Sequence, residues 1–214
     1  MGKRGGVREN AYSELEPGQV YKPIVRSEVI KAEVSRWAIS LGILMTVIFT
    51  AAAAYISLRT GNGIEAAVPI ALLAIFFGKM RGSTILENVM VQSVGQASGV
   101  VAAGATFVVP ALYINGLEPT WWQIALACTI GGSLGVALTI PLRRYFVKEQ
   151  HGKYPFPEGK AIHEVLVTGE SSASGGAKIL LLSFLLGFGF DFLLDVAHVW
   201  NAELSTSVLP GGVG

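Results

Sequence analysis

The stretch Asn88–Ile114, NVMVQSVGQASGVVAAGATFVVPALYI, holds 27 residues and not one charge. At about 1.5 Å of rise per residue it is long enough to cross a hydrocarbon layer ~30 Å thick with some tilt. It is not evenly apolar. Wound at about 100° per residue, it puts Asn88, Gln92, Gly95, Gly99, Ala103 and Thr106 on one stripe with Gln96 at its margin. Met90, Val94, Ala97, Val101 and Val108 fall on the opposite side. An amide without a partner in hydrocarbon costs several kcal/mol, so the stripe has to meet other helices or a watery cavity. Two uses fit: interhelical packing, with Gly95-x-x-x-Gly99 admitting a close neighbour and the amides bonding across the contact, or the lining of a substrate path. Three amides and a threonine on one stripe favour the path.

The composition agrees with a membrane setting. The chain is 51% hydrophobic and 14% charged, against the ~25% charged of an ordinary soluble domain. Its mean hydropathy is +0.53. A net charge of +1 gives no reason to expect nucleic acid. The lone cysteine, Cys128, lies in an apolar run, which excludes a disulfide framework and predicts a small buried packing residue. No cofactor is expected.

Outward from the striped segment, residues 1–37 read as a polar tail, broken by Gly5-Gly6 and Pro17-Gly18, with no signal peptide at its start. Ala38–Leu58 is a first span of 21 uncharged residues. A second run, Ile64–Gly78 and extendable to Met80, is short for a span and carries Glu65 and Pro69, so it reads either as a span over 64–80 or as a broken helix. Glu65 is expected to complement the positive end of that helix; the alternative is a proton or coupling-ion site. Gly61-x-Gly63-x-x-Ala66 matches a dinucleotide fingerprint in letters only, because no buried strand precedes it. The striped third span, 88–114, is followed by Trp121–Leu142, opened by two tryptophans and bearing Gly131 and Gly135 as a small-residue packing face. A fifth run, Ala177–Trp200, carries Asp191, Asp195 and His198 on one face. They read as groups meeting water at the far interface; the alternatives are proton relay and metal ligation.

The fold class expected is therefore all-α: a polytopic integral membrane protein with about five transmembrane helices and a long connection, 143–176, between the fourth and fifth. Lysine and arginine are sorted by side. With five spans, 7 in the tail, 2 in the 2/3 loop and 6 from Arg143 to Lys178 share one face, and Arg59 alone lies opposite. This predicts a cytoplasmic N-terminus in a multi-pass protein of the plasma membrane.

The 143–176 connection contains HGKYPFPEGKAIHEVLVTGE. Pro155 and Pro157 stiffen it and present Tyr154 and Phe156, and a short helix over 158–167 follows with Glu158, Ile162, Val165 and Leu166 towards one side. That helix could lie on the membrane surface or dip into it. His163-Glu164 is not a metallohydrolase pair, since no HExxH spacing occurs, and Ser171–Gly176 lacks a G-x-S-x-G elbow.

The segment from Tyr154 to Leu166, with NVMVQSVGQASG from Asn88 and AYISLRTG from Ala54, closely resembles the prokaryotic branch of the oligopeptide transporter family, which is related to the yellow-stripe-like metal-chelate transporters. The similarity runs from about Tyr21 to the end. It implies proton-coupled uptake of small peptides or of peptide-like metal chelates by alternating access, and it implies no enzyme activity. It also implies that the chain is the N-terminal third or so of a usual member, with 201–214 leading to a further span. On chemistry and resemblance together, Asn88, Gln92, Gln96, Thr106, Tyr154, Phe156 and Glu158 are the candidate substrate-binding residues. Glu158, Asp191 and Glu65 are the candidate proton-coupling groups. The expected partners are the bilayer, the substrate, and the remainder of the transporter or further copies of the chain. The other readings are a non-transporting membrane subunit or scaffold, and an intramembrane metalloenzyme using Asp191, Asp195 and His198.

Overall fold

The computed structural model describes residues 11–21, 23–26, 28–63 and 65–170, and 182–183, 185–187, 189–190 and 193 beyond them. Among the described residues the regular structure is helical, with no strand. The elements are α1 (Arg36–Thr60), α2 (Ala67–Arg81), α3 (Ile85–Ile114), α4 (Trp121–Arg144), a π-helical turn (Tyr145–Glu149) and α5 (Pro157–Glu170). The chain divides into two units, Met1–Ser174 and Gly175–Gly214, and all these elements belong to the first. In the second, the described residues are helical and mostly exposed.

Local chemistry sets each boundary. Ser35 caps α1, its hydroxyl accepting from the Ala38 N–H at 3.1 Å, and Gly61 ends the helix in the left-handed conformation, φ 72°. Thr84 and Glu87 form a capping box at the start of α3, and Thr120 with Gln123 forms another at α4. Pro69 sits in the first turn of α2, where its missing N–H costs nothing. Pro110 lies inside α3 and removes the N–H that would have bonded the Thr106 carbonyl.

Among the described residues three helices are long and apolar enough to cross a membrane: Arg36–Arg59, Ile85–Ile114, and α4 with its π turn, Trp121–Glu149. The second run is shorter than the sequence suggests. Its helix begins at Ala67, three residues after the expected start, and its 15 residues rise only about 22 Å. The fifth run, 177–200, lies mostly outside the described residues.

α3 is the element that α1, α2 and α5 all pack against. On the α1 side Val91 packs with Ala38, and the Thr46 hydroxyl lies 2.8 Å from the Val94 carbonyl as well as 2.9 Å from its own Gly42 carbonyl. Ile70 of α2 fills the space beside Met45 of α1, and Gly95 of α3 lies against both. α5 then lays Leu166 on Ala71 and Ile75 of α2, with Ile162 and Val165 alongside. The tail, α2 and α3 meet at one end: the Arg81 guanidinium lies 5.9 Å over the Trp37 ring, and Thr84 donates to the Ala32 carbonyl.

α4 has no buried residue. Cys128, expected to be buried, is exposed, and nothing stands within 4 Å of a Cβ placed at Gly131 or Gly135. The reason is common to all three: the small-residue face of α4 meets no partner among the described residues.

The contrast between two glycines tests this packing. A Cβ at Gly95 would lie 2.6 Å from Ile70 Cγ2 and 3.3 Å from Met45 Cβ. Gly95→Ala should therefore lose about 1–3 kcal/mol in a mixed-micelle unfolding titration. Gly131→Ala should be neutral or gain up to about 1 kcal/mol.

Candidate functional site

The polar stripe of α3 is the buried face of the helix. Asn88, Gln92, Ser98 and Thr106 are buried together with Gly95, Gly99 and Ala102, while Val89, Val100, Val101, Phe107 and Val108 are exposed. The expected stripe is displaced slightly, since Ala103 is exposed and Ser98 and Ala102 stand in the buried set. The side that sequence pattern marks as opposite is not uniformly open, because Met90 and Val94 are half-buried beside α1.

The amides are arranged in order along this face. At the base, Asn88 Oδ1 accepts from the Ser83 hydroxyl at 2.7 Å, in a corner so tight that a Cβ on Gly78 would collide with both groups. One turn on, Gln92 Nε2 donates to Gln96 Oε1 at 2.7 Å, and Gln96 Nε2 donates to Glu65 Oε1 at 3.3 Å. Gln92 is buried, Gln96 half-buried and Glu65 exposed, so the line runs outward and ends on a carboxylate.

Glu65 precedes α2 by two residues, but the cap of that helix, Ala66, makes no side-chain hydrogen bond, and the glutamate is engaged by α3. Further along the buried faces, the hydroxyls of Ser57 and Ser98 have no hydrogen-bond partner among the described residues. Sequence pattern missed Ser98 because a serine in an apolar helix ordinarily satisfies itself on its own backbone.

The proline-rich segment forms a separate cluster. Phe156 is the one described non-glycine residue with a positive φ, 34°, held between Pro155 and Pro157 at the head of α5. Tyr154, Phe156 and Glu158 are exposed. Phe146 and Phe156 flank the Tyr154 ring, with centroids 6.0 and 5.9 Å away. They border a cavity of about 200 Å³ that Tyr12, His151, Lys160 and His163 also line. None of the candidates in this cluster is a partner of the hydrogen-bonded line formed by Gln92, Gln96 and Glu65. Asp191 lies outside the described residues, as do Asp195 and His198.

The Gln92–Gln96 bond predicts a measurable coupling. In a double-mutant cycle of Gln92→Ala and Gln96→Ala, unfolding in bilayer-like micelles should show an interaction energy of roughly 0.6 kcal/mol, with ~1.7 kcal/mol as the upper end. Additive losses would mean that the bond is not formed.

The family described as OPT oligopeptide transporter protein matches residues 33–209. A Haemophilus influenzae protein, provisionally named an oligopeptide transporter, is 34% identical over 158 residues, covering 68% of this chain. The match spans 24% of that relative's own length. No solved structure matches the chain.

Proposed function

The chain belongs to the oligopeptide transporter family, and from that premise we propose that it carries small peptides across a membrane along the polar face of α3. The observation that carries this reading is the line Gln92–Gln96–Glu65, which joins a buried amide on α3, through a half-buried one, to an exposed carboxylate just before α2. Amide side chains are suited to a peptide cargo because each offers both a donor and an acceptor, as a peptide bond does. Side chains that bond one another in one state can exchange those bonds for the cargo's amides in another, and the carrier then never leaves them unmet. The carbonyl of Thr106, released by Pro110, would offer one more acceptor on the same face.

In this mechanism the N-terminus is cytoplasmic, the membrane is the plasma membrane, and α2 and the 177–200 run are two further crossings. Alternating access would move α3 against α1 and α2, whose contacts rest on small residues such as Gly95 and Gly42. The coupling proton belongs to Glu65 in preference to Glu158, because Glu65 is the carboxylate bonded to the amide line. A peptide-like metal chelate would use the same donors, so the metal ion is cargo and not a resident cofactor. The protein acts as a carrier and not as an enzyme. A scaffold that assembles with other helices is the second reading, and the uncovered flank of α4 is what favours it.

Uptake separates these readings. In cells whose peptide uptake depends on this protein, Gln92→Ala and Gln96→Ala should each lower uptake of labelled small peptides roughly tenfold or more while membrane levels stay normal. Glu65→Gln should preserve peptide binding but abolish accumulation driven by a proton gradient. Unchanged uptake in both glutamine variants would remove α3 from the path. Normal assembly with a second membrane protein and no uptake at all would favour the scaffold.

A further inference from the structure

Two tyrosine–histidine contacts join the tail to α5 and to the segment that precedes it. The Tyr12 hydroxyl lies 2.9 Å from His163 Nδ1 and 3.3 Å from the Lys160 carbonyl, two acceptors for its one proton, and the Tyr12 and His163 rings meet edge-on with centroids 5.8 Å apart. The Lys160 ammonium sits 5.1 Å over the Tyr12 ring. Nine residues on, the Tyr21 ring packs on His151 with centroids 5.4 Å apart. Between these two points the backbone of Ser13 and Glu14 runs so close to Gly152 that no Cβ could stand there.

These contacts fall on both sides of a bent connection. Residues 150–156 link the π turn to α5 and include two left-handed positions, Gly152 at φ 77° and Phe156 at φ 34°. A left-handed φ strains Phe156 but not a glycine, so the bend joins a strained position to one that turns freely. The cavity at the bend takes its walls from the tail (Tyr12), the π turn (Phe146) and α5 (Lys160, His163). The opposite, apolar face of α5 lies on α2 through Leu166.

We propose that residues 11–21 are a releasable clamp that fixes the angle of α5 at this bend. Seated, the tail holds α5 against α2 and so holds the helix pair that backs the polar face of α3. Released, α5 turns about residues 150–156. Protonation of His163 is the trigger. When the imidazole is neutral with its proton on Nε2, the phenol proton goes to the nearer acceptor, Nδ1; an imidazolium loses that bond, and its charge is poorly solvated in the half-buried seat. Glu164 opposes that effect, and His151 lines the same cavity. Burial holds the His163 imidazole below its ordinary range, with Glu164 raising it in part. Protons therefore bind the released form better. The clamp is fully seated above about pH 6.5, the ordinary histidine value, and weakens as pH falls below it.

The distance between spin labels at Glu16→Cys and Ala161→Cys, in a Cys128→Ala background and in lipid nanodiscs, reads the clamp directly. At about pH 7.5 the native contacts should give one narrow distance. Lowering the pH to about 5.5 should broaden and lengthen it, and His163→Gln, which keeps an acceptor but cannot titrate, should hold it narrow at both values. Tyr12→Ala should reduce the narrow population several-fold at either pH, and Gly152→Ala should do the same by blocking the seat. A distribution that Tyr12→Ala leaves unchanged would overturn the clamp. A pH response that survives His163→Gln would overturn His163 as its trigger.

Discussion

An amide side chain inside hydrocarbon must find a partner, and this constraint organises the described part of the molecule. α3 carries Asn88, Gln92 and Gln96 on a helix otherwise apolar enough to cross a bilayer. Their side must face protein, so α1, α2 and α5 gather on that side. Close approach is then required, and glycine supplies it: Gly78 where Asn88 and Ser83 sit, Gly95 between Ile70 and Met45, Gly42 against Val94. The pattern reverses that of a soluble helix, with polar groups turned in and valines and phenylalanine turned out.

The same constraint links packing to the proposed path. A polar face satisfied permanently by backbone would be inert, whereas one satisfied by neighbouring side chains can exchange partners. Gln92 and Gln96 bond each other and Glu65, not carbonyls of their own helix. Individual bonds of this kind are worth about 1 kcal/mol or less in membranes, so the proposed exchange for a peptide's amides would cost little. α2, only 15 residues long, leaves Glu65 just before its start, where the carboxylate can reach α3.

Much of this was legible in the sequence, for definite reasons. The stripe on α3 is read from helical period alone, and most of it lies where the period puts it. The start of α5 lies within one residue of where the prolines put it, and Ile162, Val165 and Leu166 do pack on α2, whereas Glu158, read on the same side, is exposed. What could not be read depends on contacts distant in sequence. Glu65 looked like a charge for its own helix end, and only the fold brings it to Gln96, 31 residues away. Cys128 was misjudged because apolar surroundings in sequence do not distinguish a core from a lipid-facing flank. The docking of Tyr12 on His163, 151 residues away, has no local signal, since the tail's composition is that of an unstructured segment.

Oxygen and nickel-chelate accessibility of single spin labels along α3, from position 88 to 110 in lipid bilayers, tests the inward polar face most directly. Positions 89, 97, 100, 101, 104 and 108 should collide freely with oxygen dissolved in lipid, and 88, 91, 92, 95, 98, 99 and 102 should be shielded from it, in a helical period. Oxygen accessibility highest at 88, 92 and 95, or flat along the helix, would mean that the amides face lipid and that the path proposed here does not exist.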